Sequence, residues 1–70
     1  MSETSALVRM ANQIARNYSY LSEADAAAAV ATHLERFWTP DMRSEFVGGS
    51  PDDLDPVAST ARGLLAGRTR

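Results

Sequence analysis

The stretch that decides the fold of this chain is ATHLERFWTPDMR, residues 31–43. It holds the only tryptophan, Trp38, the only histidine, His33, and one of the two phenylalanines, Phe37. A Thr-Pro pair follows at 39–40 and predicts that one helix ends and another begins, because threonine is a common N-cap and proline suits the first helical turn. The chain must therefore turn at the point where its largest side chains are buried.

Two helical patterns precede this turn. Over residues 4–18, apolar residues recur at steps of three and four, the period of an amphipathic helix, and they are Leu7, Met10, Ala11, Ile14, Ala15 and Tyr18. A short link at 19–21 predicts that a second helix, residues 23–38, runs back antiparallel to the first. Ser22 followed by Asp25 is a capping pattern for its start. Its expected core stripe, flanked by His33 and Phe37, is Ala27, Val30, Ala31, Leu34 and Trp38.

Two shorter helices are predicted after the turn. The third, residues 40–47, ends at Gly48-Gly49 and should fold Met42, Phe46 and Val47 back onto Trp38. The fourth, residues 55–66, has an apolar stripe of Val57, Ala61, Leu64 and Leu65. We expect a mobile link at 48–55 and a frayed tail at 68–70. The predicted fold class is all-α, with residues 1–70 forming a single domain: a small bundle of three to four short helices, built as an antiparallel helical hairpin plus short C-terminal helices.

Composition excludes most kinds of reactive site. The chain has 70 residues, 44% of them hydrophobic, which allows one core but no second layer with a deep pocket. The absence of cysteine excludes disulfides, thiolate nucleophiles and iron–sulfur ligation, and a single histidine makes a two-histidine zinc site impossible in one copy. His33-Leu34-Glu35 matches part of the zinc deaminase motif, but the required cysteine pair is missing. We therefore predict no catalytic, cofactor-binding or metal-binding residue.

Charge and hydropathy narrow the possible partners. A net charge of −2 and a pI near 5.1 argue against nucleic-acid binding, which needs clustered cations. The longest apolar run, 26–31, is far below the ~20 residues of a membrane span, and no secretory signal is evident at the N-terminus. We expect a cytoplasmic protein without a membrane partner.

The basic residues are all arginine, seven in number. None has an Asp or Glu three or four positions away, so no intrahelical ion pair of the usual kind can form. Such arginines are available for the carboxylates or carbonyls of another protein. Simple solvation explains the same pattern, and a biased genomic composition explains the absence of lysine.

Two segments carry a resemblance to a known family. They are Leu-Val-Arg-Met-Ala-Asn-Gln-Ile-Ala at 7–15, and His-Leu at 33–34 followed by Phe-Trp-Thr-Pro-Asp-Met-Arg at 37–43. Together with Leu-Asp-Pro-Val at 54–57, they resemble the delta subunit of soluble, NAD-dependent formate dehydrogenases that contain molybdenum or tungsten. The Phe-Trp-x-Pro-x-Met-Arg string is the more specific part.

The resemblance implies a cytoplasmic complex that interconverts formate plus NAD⁺ with carbon dioxide plus NADH. The metal-bound pterin, iron–sulfur clusters and FMN are expected in its larger subunits. The delta chain would be non-catalytic and free of cofactor. It would dock on the catalytic (alpha) subunit, and through it on the beta and gamma subunits, to support assembly or stability. The residues expected to organise this docking are Arg9, Asn12, Gln13, His33, Trp38, Met42 and Arg43. The alternative role for several of them is to hold the bundle together.

Two other functions remain open at this stage. A small helical regulator, such as a DNA-binding helix-turn-helix or antitoxin-like module, is disfavoured by the acidic charge and the tight Thr-Pro junction. A transient assembly chaperone differs from a subunit in occupancy, because a chaperone leaves the finished enzyme and a subunit stays in fixed ratio.

Overall fold

The computed structural model describes residues 3–49 and 54–68, and every regular element in these ranges is an α-helix. The all-α small bundle predicted from the sequence is confirmed. The helix ends lie one or two residues from the predicted positions, except for the starts of the second and third helices, which coincide with them. The helices are α1 (Glu3–Asn17), α2 (Glu23–Phe37), α3 (Pro40–Gly48) and α4 (Pro56–Arg68).

Side chains cap the starts of three helices. The Ser22 hydroxyl accepts a hydrogen bond from the Asp25 N–H at 3.2 Å at the start of α2. The Thr39 hydroxyl accepts one from the Met42 N–H at 3.2 Å, and Pro40 is the first residue of α3. Before α4, the Asp55 carboxylate accepts a hydrogen bond from the Val57 N–H at 2.9 Å. These caps satisfy N–H groups that have no partner within the helix, so each start is fixed by local sequence.

The C-terminal end of α3 is held by a side chain of α4. The Arg62 guanidinium donates from Nε to the Phe46 carbonyl at 3.0 Å, and from Nη2 to the carbonyls of Val47, at 2.6 Å, and Gly49. Gly49 has φ −79°, so the helix ends without the left-handed glycine that often follows a C-terminus. Arg62 therefore links α4 to the end of α3.

The core forms where α2 meets its neighbours, and α2 packs most extensively on α4. The predicted α2 stripe is buried in full: Ala27, Val30, Ala31 and Leu34 have no exposed surface, and Trp38 is 7% exposed. The other helices contribute Leu7, Val8, Ala11, Ala15, Phe46, Ala58, Ala61 and Leu65.

Two members of the predicted apolar stripes are not buried. Met10 of α1 and Leu64 of α4 are 40% and 38% exposed. Val8 and Ala58 are buried instead. Helical periodicity predicts which face of a helix is apolar. Which part of that face is buried depends on how the neighbouring helices pack against it.

The predicted link and tail fall partly on residues 50–53 and 69–70, which lie outside the described residues. Within the described part, Gly48 belongs to α3 and Leu54 is half-buried against the core. Arg68, which we expected in a frayed tail, is instead the last residue of α4, and its guanidinium pairs with the Glu35 carboxylate at 2.8 Å. None of the helices described is long and apolar enough to cross a membrane.

Candidate docking surface

Trp38 lies in the core at the end of α2. Its backbone N–H donates a hydrogen bond to the Leu34 carbonyl at 3.0 Å. Its ring contacts the ring of Phe46 edge-on, with 5.4 Å between the ring centroids. Met42 is half-buried against the same cluster. The expected return of the third helix onto Trp38 is therefore present. For Trp38 and Met42 the structure shows packing contacts, and their role in docking stays a prediction.

Three arginines that have no ion-pair partner on their own helix form hydrogen bonds or an ion pair with other parts of the chain. Arg43 is half-buried and donates from Nη1 to the Glu35 carbonyl at 2.7 Å, which joins α3 to α2. Its Nε is buried without a hydrogen-bond partner among the described residues. Arg62 binds the end of α3 and Arg68 pairs with Glu35. The sequence did not reveal these contacts, because the spacing rule considers only partners on the same helix. The role of Arg43 in docking stays a prediction.

The α1 residues predicted to dock point in different directions. Asn12 is half-buried, and its side-chain oxygen accepts a hydrogen bond from the Asp55 N–H at 2.8 Å. Arg9 and Gln13 are exposed. Asn12 therefore faces the start of α4, while Arg9 and Gln13 remain accessible to a partner.

Among the large apolar side chains of residues 31–43, that of Phe37 is the most exposed, at 71%. It follows Leu34 by three positions and Val30 by seven, and both of those side chains are fully buried. This spacing places Phe37 near the core side of α2. The imidazole of the half-buried His33 packs against its ring, with 4.7 Å between centroids and 42° between planes. The core stripe of α2 thus ends in an aromatic pair that the described part of the chain leaves largely uncovered.

A surface groove, which we call the Phe37 groove, begins at this aromatic pair. Its lining comes from the turn after α1 and from one side of α2, and consists of Tyr18, Ala28, Ala29, Thr32, His33, Arg36 and Phe37. Arg36 supplies its one fixed charge, and within residues 3–49 and 54–68 this arginine forms no ion pair. The neighbouring Glu35 is already paired with Arg68. The groove can therefore accept apolar side chains together with a carboxylate.

The structure does not bring the seven predicted docking residues into one site. His33 lines the Phe37 groove, whereas Met42 lines a second groove between α1 and α3 that also contains Asp41 and Glu45. Sequence reasoning did not include Phe37, Arg36 or Tyr18 in the site. A signal for Phe37 was present: in the predicted helix 23–38, adjacent residues point about 100° apart, so Phe37 and Trp38 would not both enter the same part of the core.

The described residues also bear on metal binding. Among residues 3–49 and 54–68, no three His, Cys, Asp or Glu side chains come together in a group that could hold a metal ion.

A family model described as NADH-dependent formate dehydrogenase delta subunit (FdsD) matches residues 6–62. No curated protein and no solved structure gives a match. The matched span runs from α1 into α4 and contains every residue of the Phe37 groove.

Proposed function

Given that this chain belongs to the family of NADH-dependent formate dehydrogenase delta subunits, we propose that it is a non-catalytic accessory subunit that docks on the catalytic (alpha) subunit. The observation that carries the proposal is the family match, which spans 6–62 of the 70 residues. The exposed Phe37 beside Arg36, which forms no ion pair with the residues that the structure describes, supports it, because aromatic and arginine side chains are enriched where proteins bind each other.

The proposed role is to support assembly or stability of the complex. A chain of this size has a small core, so both partners gain stability when an exposed apolar surface is covered on binding. Through the alpha subunit, the chain would be held together with the beta and gamma subunits. It would act on them by contact alone.

The proposal assigns the chemistry to the larger subunits. There, formate plus NAD⁺ would be interconverted with carbon dioxide plus NADH, using a molybdenum- or tungsten-bound pterin, iron–sulfur clusters and FMN. We place this complex in the cytoplasm. Support for these assignments comes from the resemblance of 7–15 and 37–43 to delta subunits of soluble enzymes.

Deletion of the chain tests the proposal. The alpha, beta and gamma subunits are expressed in the native host with and without it, and the yield of assembled complex is measured along with formate-dependent NAD⁺ reduction. We expect less assembled complex without the chain, and recovery when the chain is supplied from a plasmid. Equal yield and equal activity in its absence would contradict the proposed role.

A further inference from the structure

We propose that the Phe37 groove receives an apolar helix of the catalytic subunit that carries a carboxylate for Arg36. This inference rests on the proposed function and adds the surface used and the chemistry of the segment that occupies it.

The exposure of Phe37 shows that one end of the apolar stripe of α2 is not covered by the described residues. Phe37 continues the stripe of Val30 and Leu34 but is 71% exposed, while the next residue, Trp38, takes the place beside Phe46. Covering this aromatic ring with another apolar surface removes it from water, which lowers the free energy. The one ring contact of Phe37 among the described residues is with the tilted imidazole of His33, at 4.7 Å between centroids.

The shape of the groove suits a helix. Ala28 and Ala29 of α2 line the groove together with Tyr18, from the turn after α1, and Phe37, the last residue of α2. Alanine side chains allow a second backbone to approach closely, and aromatic rings beside them can contact an apolar helix face. The lining therefore combines small residues with aromatic ones.

Charge decides between possible occupants. Arg36 is the one fixed charge of the lining and forms no ion pair with the described residues, so a partner carboxylate would complement it. A second copy of this chain, docked symmetrically at the groove, would bring one Arg36 against the other. Nucleic acid would need a cluster of cations where the groove has one. The fitting occupant is a segment with an apolar stripe and an Asp or Glu beside it.

The test uses the complete complex. Affinity-tagged alpha subunit is co-expressed with its partners and with Phe37→Ala, Arg36→Glu or Arg36→Lys forms of this chain, and the amount of chain retained per alpha subunit is measured. We expect retention to fall at least about tenfold for Phe37→Ala and Arg36→Glu, and less for Arg36→Lys, which keeps the charge. Matched controls are Tyr20→Ala, an aromatic residue 78% exposed outside the groove, and Arg16→Glu, an exposed arginine also outside it.

A photo-crosslinking residue placed at 37, and at 20 as control, then identifies the neighbour. A crosslink from 37 to an apolar, carboxylate-bearing helix of the alpha subunit is the expected result. If the unmodified chain is not retained, the proposed function and this inference both fail. If it is retained and the groove variants are retained equally, the groove inference alone fails. A crosslink from 37 to a second copy of the chain, or to a segment without a carboxylate, also overturns it.

Discussion

The side-chain oxygen of Asn12 accepts a hydrogen bond from the backbone N–H of Asp55 at 2.8 Å, across 43 positions of sequence. Asp55 in turn caps the start of α4: its carboxylate accepts a hydrogen bond from the Val57 N–H at 2.9 Å, and its carbonyl accepts one from the Ser59 N–H at 2.8 Å. Asn12 thus fixes the residue that starts the last helix. A residue expected to bind a partner therefore also holds two helices of its own chain together.

Replacement of Asn12 by Ala should lower the free energy of unfolding by about 1–2 kcal/mol, because the half-buried Asp55 N–H loses its acceptor. Urea denaturation followed by helical circular dichroism measures the change. Gln13→Ala, at an exposed neighbouring position, is the matched control and should change stability by less than about 0.5 kcal/mol. Equal effects of the two substitutions would show that the Asn12 bond contributes nothing to stability.

Adjacent aromatic residues should respond differently to truncation. Trp38→Ala should cost about 3 kcal/mol or more, since the ring is 7% exposed and packs on Phe46. Phe37→Ala should cost less than about 0.5 kcal/mol, because that ring is 71% exposed. Thermal melting of the isolated variants gives the comparison. An unchanged melting temperature for Trp38→Ala would assign Trp38 to the interface instead of the core.

Loss of the Arg62 guanidinium should loosen the end of α3. Arg62→Met removes the donors to the carbonyls of Phe46, Val47 and Gly49 and should cost about 1–3 kcal/mol. Arg62→Lys should recover only part of this, since one ammonium group cannot reproduce the planar fork of donors. Amide hydrogen exchange of residues 46–49 reports the effect locally. Exchange at the unmodified rate in Arg62→Met would contradict the assigned role.

The ion pair between Arg68 and Glu35 should contribute little. Its side chains are 37% and 39% exposed, and pairs of this kind are worth about 0–1 kcal/mol. Arg68→Ala should therefore lower stability slightly at low salt, and the difference should shrink at about 1 M salt, where charges are screened within a few ångströms. A loss well above 1 kcal/mol that persists in salt would mean that Arg68 stabilises α4 by packing.

Local sequence signals were sufficient for the helices themselves. Ser22 and Thr39 cap as predicted, with each hydroxyl 3.2 Å from the nitrogen of its partner, because a cap depends on residues three positions away. The core stripe of α2 followed from helical periodicity in the same way. These features need no knowledge of the neighbouring helices.

Features that depend on distant neighbours were not predicted. The Asn12 bond to Asp55 and the Arg62 bonds to the end of α3 join residues that no local rule relates. Met10 and Leu64 are exposed because their neighbours cover another edge of the stripe. The Phe37 groove was missed for the same reason, since only the packed bundle reveals which apolar residue is left without cover.

Purification of this chain together with its partners tests directly whether it is a formate dehydrogenase subunit. The chain is tagged in its native host and purified gently, the masses and ratios of the co-purifying proteins are determined, and the eluate is assayed for formate-dependent NAD⁺ reduction. We expect the large formate dehydrogenase subunits in fixed ratio to this chain, together with activity. A chain that purifies alone, or with nucleic acid and no activity, would contradict it, and a chain absent from the finished active enzyme would identify a transient chaperone instead of a subunit.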